Sequence, residues 1–246
     1  MSDAVQSIEQ LSQGELARFL VNALRLTILH YGFWFNEVQH QLGMEEAIRS
    51  EEQVSASIFP IVARRLSKAI DLETSNQLPP SLSSLPREKL LGLIDAMSLN
   101  WLANDGVWFQ TVENRQDLNT AKRCNDTCWT EFSPLEASLI RSFLNIPEQA
   151  GLQGLEKALN FRLYARINKQ TIEKQGKDLI FRMLTCRVQD ARKSRGLEDY
   201  PCKSAGLVEY QTFARTIDNR IRTQCLACPP DPHPPEWACA WRFYVT

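Results

Sequence analysis

The chain has no apolar run approaching the roughly 20 residues that a membrane-spanning helix needs. Its opening stretch, Met1-Ser-Asp-Ala-Val-Gln-Ser-Ile-Glu-Gln, lacks a positive segment followed by an apolar core, so no signal peptide is read. Nor is there an excess of either charge: 28 Lys and Arg stand against 29 Asp and Glu, a net charge of −1. A protein that neutralises phosphates needs a basic stripe, so nucleic acid is not an expected partner. No membrane partner is expected either, and the expected compartment is the reducing cytoplasm. Histidine is scarce, with three in 246 residues. The seven cysteines are an odd number, and in a reducing compartment they do not make a disulfide framework. What remains for them is metal ligation, catalysis or burial.

Five of the seven cysteines lie in the last quarter of the chain. Two form a knuckle, Cys225-Leu-Ala-Cys228-Pro-Pro-Asp-Pro-His233, with Cys239 shortly after. A C-x-x-C turn points two sulfurs at one place, which suits a soft metal or thiol chemistry. Zinc takes four ligands in a tetrahedron. Cys225, Cys228 and Cys239, with Cys202 or His233, are the candidate set. If zinc is catalytic, a bound water ionises near neutral pH, and Asp231 or Glu209 is a candidate base. If zinc is structural, the reactive group is sought at Cys186 or Cys202. Cys202 precedes Lys203, and an adjacent ammonium favours the thiolate. Inert reduced cysteines are the third reading.

The expected fold is α+β: duplicated N-terminal helical hairpins followed by a small antiparallel β-β-α-α-β-β domain. The division is placed at 1–150 and 151–246. A shift of about 74 residues superimposes Gly32, Trp34 and Phe35 on Gly106, Trp108 and Phe109, so residues 24–72 and 98–146 read as copies. Gly43 is read as a helix terminator, with a new helix from Met44. Residues 74–86 read as a loop. Ser133-Pro134-Leu135-Glu136 reads as a helix start, with Ser as cap and Pro in the first turn. Alternation of Phe161, Leu163, Ala165 and Ile167 with polar neighbours reads as a first strand. A turn at 175–178 leads to a second strand from Leu179, and helices are expected over 188–195 and 205–217. The last two strands are expected over 220–228 and 237–245, with a proline-stiffened loop between them.

Three further constellations carry possible chemistry. An aromatic stripe on the helices includes Trp34, Trp101, Trp108 and Trp129. It reads first as core. Its functional reading is a pocket for a planar ligand, with Trp34, Glu37, Asp105 and Trp108 as candidate lining and His30, Asn36, Asn104 and Glu113 as further polar groups. Glu37-Val-Gln-His40 has the spacing of a di-iron ligand pair, but the second copy reads Thr111-Val-Glu-Asn114, and the motif fails. Arg187, Arg192, Lys193 and Arg195 suit a helix C-terminus, and could also receive an anionic small substrate.

A resemblance rests on several segments together. They are Trp101 to Glu113, Cys-Arg-x-Gln-x-x-Arg at 186–192, Pro-Cys-Lys at 201–203, Cys-Pro-Pro-Asp-x-His at 228–233 and Cys-Ala-Trp-Arg-Phe at 239–243. The set resembles a family of uncharacterised prokaryotic cytosolic proteins over nearly the whole chain. The C-terminal part distantly resembles the L-2-amino-thiazoline-4-carboxylic acid hydrolases, which add water to a C=N bond. The Cys225–Cys228 knuckle is a departure from that hydrolase pattern, and the departure favours a metal role for the pair. The expected function is a cytoplasmic small-molecule enzyme acting on a C–N bond, with a cysteine-centred and zinc-bearing site in the C-terminal domain. The alternative is a ligand-binding or sensory module with a structural zinc knuckle.

Overall fold

The structure is a computed structural model. It describes residues 13, 28, 31–32, 35–36, 39–40, 42–69, 86–196 and 199–246. The chain forms two compact units, residues 1–69 and 70–246. In the first, Gly43 adopts φ +88°, a left-handed conformation that glycine enters without steric cost and that stops a helix. Helix α1 (Met44–Ala69) begins at the next residue, with Glu45 and Glu46 in its first turn facing the positive end of the helix dipole. The expected loop at 74–86 lies almost wholly outside the described residues.

The second unit holds the other described helices and all four strands. Helices α2 (Arg87–Arg115) and α3 (Leu118–Leu144) form a hairpin. Asp117 caps α3 by accepting from the Thr120 amide at 2.7 Å. Two short helices, α4 (Gly151–Leu159) and α5 (Leu163–Ile167), lead into strands β1 (Lys169–Gln175) and β2 (Asp178–Thr185). Then come α6 (Arg187–Lys193), α7 (Lys203–Ile217), β3 (Ile221–Ala227) and β4 (Cys239–Val245). The sheet is antiparallel throughout, in the order β1-β2-β4-β3. The α+β class and the β-β-α-α-β-β order expected from sequence are what the chain adopts.

Two local expectations are corrected. Residues 163–167 are helical, and the first strand starts at Lys169. Alternating polarity over seven residues is too short to separate a strand from one turn and a half of helix whose opposite faces meet different neighbours. Pro134 does not open a helix: α3 runs through it from Leu118 to Leu144. Glu136, the last residue of that expected start, is buried and paired with Arg162.

One face of the sheet carries the core. Leu179, Phe181 and Met183 on β2 and Trp241 and Phe243 on β4 alternate onto the same side and are almost fully buried. Helix α7 lies across that side with Tyr210, Phe213, Ala214 and Ile217, and α3 packs along α7. Gly206 is the contact point: a Cβ there would come within 2.7 Å of the Trp241 ring, so only glycine lets helix and sheet approach this closely. Among the described residues no helix is long and apolar enough to cross a membrane.

Candidate functional site: a thiol-lined cavity

A cavity of about 560 Å³ opens where the N-terminal half of α7 and the thiol-bearing end of the sheet meet the α2–α3 hairpin. Cys186, Cys202, Cys228 and Cys239 all line it. Each arrives from a different place. Cys186 follows β2, Cys202 caps α7, Cys228 follows β3 and Cys239 opens β4. Asp105, Phe109 and Glu113 contribute from α2, Asn125 and Trp129 from α3, and Tyr164 from α5. Arg187, Arg192 and Arg195 of the α6 segment and Tyr200 form further wall, and Glu209 and Tyr210 of α7 complete it.

A β-bulge explains how two of the knuckle's sulfurs come to one side of the sheet. On a regular strand, residues 225 and 228 would point to opposite faces, because side chains alternate. Cys225 pairs with Trp241, but the register then shifts, and Ala227 pairs with Ala240. The extra residue turns Cys228 back to the face shared by Trp241 and Cys239.

Behind Glu209, which lines the cavity, lies a buried ion triad. Arg162 is 3% exposed. Its Nε and Nη2 lie 2.9 and 2.8 Å from Glu136 Oε2, and its Nη1 lies 2.6 Å from Glu209 Oε1. Aromatic rings surround the guanidinium, with Phe213 at 4.9 Å and Tyr164 at 5.4 Å. Burial works against the Arg162 charge, but Glu136 and Glu209 outweigh it and hold the guanidinium protonated. Burial raises the Glu209 carboxyl pKa, with Arg162 opposing and Glu136 adding to the rise.

Burial also sets the state of the thiols. It pushes Cys186 up to about 11. It drives Cys202 well above its ordinary range, with Cys186 and Cys239 adding to the rise. Cys228 is raised first by hydrogen bonding to Cys239 and then by burial. These three sulfurs are therefore neutral thiols at pH 7, so any one of them that attacks must pass its proton to a base as it does so. Gln189, 2% exposed, holds the loop before α7. Its amide nitrogen donates to the Tyr200 carbonyl at 2.9 Å and lies 3.1 Å from Cys202 Sγ, while its oxygen accepts from the Tyr200 amide at 2.8 Å.

The expected site residues divide clearly. Cys186, Cys202, Cys228, Cys239 and Asp105 line the cavity, and so does Glu209. Cys225 does not line it; it sits beside Lys203 and Asp231, and burial raises its thiol to about 11. Asp231 is tied to Lys203 at 2.8 Å, also away from the cavity wall. His233 contacts Asp199 at 3.4 Å and the Pro234 carbonyl at 3.0 Å, not the sulfurs. Trp108 is 62% exposed and lies off the cavity. Trp34 and Glu37 lie outside the described residues.

The proposed zinc set of Cys202, Cys225, Cys228, His233 and Cys239 therefore does not converge. Among the described residues no group of three or more His, Cys, Asp or Glu side chains is arranged to hold a metal ion. The donor chemistry suits zinc, but the arrangement does not. Sequence reasoning missed Arg162, Gln189 and the three tyrosines. Gln189 stands in the Cys-Arg-x-Gln segment singled out above, but nothing in its spacing pointed to Cys202.

No curated protein and no solved structure matches the chain. A family model does match, over residues 83–245, a span that takes in the whole cavity and every strand. The chain belongs to the family of unknown function DUF6125.

Proposed function

We propose that the chain is a small-molecule enzyme whose substrate occupies the thiol-lined cavity, and that the reaction breaks a C–N bond. The observation that carries this reading is the meeting of Cys202 and Glu209 on one wall of a cavity of ligand size. The distant resemblance to the thiazoline hydrolases supplies the reaction class. Cys202 Sγ attacks the carbon of the C–N bond. Its proton passes through Glu209 to the nitrogen as that nitrogen leaves, and water then hydrolyses the adduct. Cys186, on the same wall, is the second candidate nucleophile. Aromatic walls at Phe109, Trp129 and Tyr210 favour a flat substrate. No step runs through a metal.

The test uses 2-amino-thiazoline-4-carboxylate as substrate and 8-anilinonaphthalene sulfonate as a fluorescent occupant. Gly106 lines the cavity, and a Cβ there would meet no atom within 4 Å, so Gly106→Leu adds bulk at the cavity wall where the first side-chain atom has room. The wild-type protein is expected to bind the dye and to hydrolyse the substrate above the buffer rate. Gly106→Leu loses both. Cys202→Ser keeps dye binding and loses turnover by at least about a hundredfold. Dye binding with no turnover supports the second reading, a non-enzymatic ligand-binding module, which the same cavity serves. Dye binding unchanged by Gly106→Leu removes the cavity from both.

A further inference from the structure

The bulge that turns Cys228 to the face of Trp241 and Cys239 leaves the Cys228 and Cys239 sulfurs side by side on that face. Ala227 pairs with Ala240 in the antiparallel register, and Cys228 and Cys239, the residues next to that pair, are hydrogen-bonded side chain to side chain. Residues directly opposite on such a pair have Cβ atoms about 4.5–5.5 Å apart. A disulfide needs Cβ atoms at about 3.5–4.5 Å, a range that adjoins this spacing. The backbone at Cys228 is pinned on both sides of the following turn: the Asp231 amide donates to the Cys228 carbonyl, and the Lys203 amide to the Pro229 carbonyl, each at 2.9 Å. Cys228 is 2% exposed, yet it lines the cavity with Cys239, so a small reagent that enters the cavity reaches both sulfurs.

We propose that Cys228 and Cys239 are a cross-strand dithiol that oxidises reversibly to a disulfide by exchange with a low-molecular-weight disulfide. Cys239, the less buried of the two, loses its proton to solvent and attacks one sulfur of the reagent, forming a mixed disulfide while the reagent's other sulfur leaves as a thiolate. Cys228 Sγ then displaces the second reagent thiolate as it gives up its own proton. The protein loses two electrons and two protons. The reagent gains them as two thiols. The product is uncharged, and this matters in a wall where thiols are held neutral: a bound metal would require two thiolates there, a disulfide requires none. The inference does not depend on the hydrolytic reading, because neither cysteine attacks substrate in it.

The test is equilibration of the intact, folded chain with glutathione disulfide and glutathione at several ratios, followed by intact mass and peptide mapping after acid quench. The expected result is the loss of two hydrogens, a 228–239 cross-linked peptide, and full return on dithiothreitol treatment. Cys225→Ser leaves the cross-link in place, and Cys228→Ser and Cys239→Ser each abolish it. Three results would overturn the proposal. One is glutathione adducts that never resolve to the cross-link. The second is a 225–228 link in the wild-type chain. The third is a 228–239 link that forms only in denaturant. Each of these reads on wild-type protein and does not depend on a variant folding.

Discussion

Asp218, at the C-terminal cap of α7, gathers an unusual number of donors for one carboxylate. It accepts from the Gly151 amide at 2.9 Å, from the Arg220 amide and Nε at 3.0 Å each, and from Arg220 Nη2 at 2.7 Å. These bonds tie the start of α4 to the start of β3. The Arg220 side chain, before the opposing effect of burial, is the main reason the Asp218 carboxyl is pulled down to about 2. An unfolded aspartate titrates near about 3.9. Because the folded value is the lower one, the interaction stabilises the fold fully above the unfolded value and is lost as the pH falls through about 2. The expected outcome is a urea midpoint that declines between about pH 4 and pH 2, and a shallower decline in Asp218→Asn over the same window. Parallel slopes for the two proteins would remove Asp218 as a source of acid lability. Individual residues of the cavity were partly legible in the sequence. Cys202, Cys228 and Cys239 could be picked because sulfur is rare and its chemistry is narrow. Arg162 could not, because an arginine declares itself buried only when Glu136 and Glu209, 26 and 47 positions away along the chain, are seen around it.

The helices and strands show the same division between local and tertiary information. The hairpin of β1 and β2 was readable because Gly176 takes φ +61° in a two-residue loop, a conformation the residue type announces. The turn that follows α6 closes at Gly196, φ +68°, for the same reason. Helix α3 was misread at Pro134 because Ser-Pro-x-Glu is a local start signal, while the buried pairing of Glu136 with Arg162 and the packing of α3 on α7 are not local. Two glycines inside helices make the contrast testable. In α4, a Cβ on Gly154 would fall 2.3 Å from the Ala150 Cβ and 3.2 Å from Ile146 Cγ2. In α2, one on Gly106 meets nothing within 4 Å. Helix propensity alone gives both glycine-to-alanine changes about 1 kcal/mol of stabilisation. At Gly154 overpacking opposes it with about 1–3 kcal/mol, so the net effect there is destabilising. Gly106→Ala should therefore raise the denaturation midpoint and Gly154→Ala lower it. Equal shifts in one direction would mean that the α4 contact does not govern the outcome.

At the scale of the molecule, the family match and the contacts fall on the same part of the chain. The match spans residues 83–245, and the compact unit that holds the sheet and the cavity spans 70–246. Helices α1 and α3 begin about 74 residues apart and each carries a proline inside it, Pro60 and Pro134, the offset at which the sequence aligns with itself. Helix α3 contributes Trp129 and Asn125 to the cavity. Nothing in the hydrophobic pattern told these helices apart, because amphipathic helices of similar length carry the same periodicity whatever they pack on. The partners of α3, helix α7 and Arg162, lie beyond the repeat and are not written in its pattern. The core residues of the larger unit, from Ala137 on α3 through Leu155 and Phe181 to Phe213 and Phe243, form one cluster. A unit with its own core is expected to fold alone. A chain of residues 70–246 should therefore unfold in a single cooperative urea transition and bind 8-anilinonaphthalene sulfonate within about threefold of the full-length affinity, a difference of under about 1 kcal/mol. A fragment that folds cooperatively but has lost the dye would place a necessary part of the site in residues 1–69. A fragment with no cooperative transition would show that the larger unit is not an independent domain.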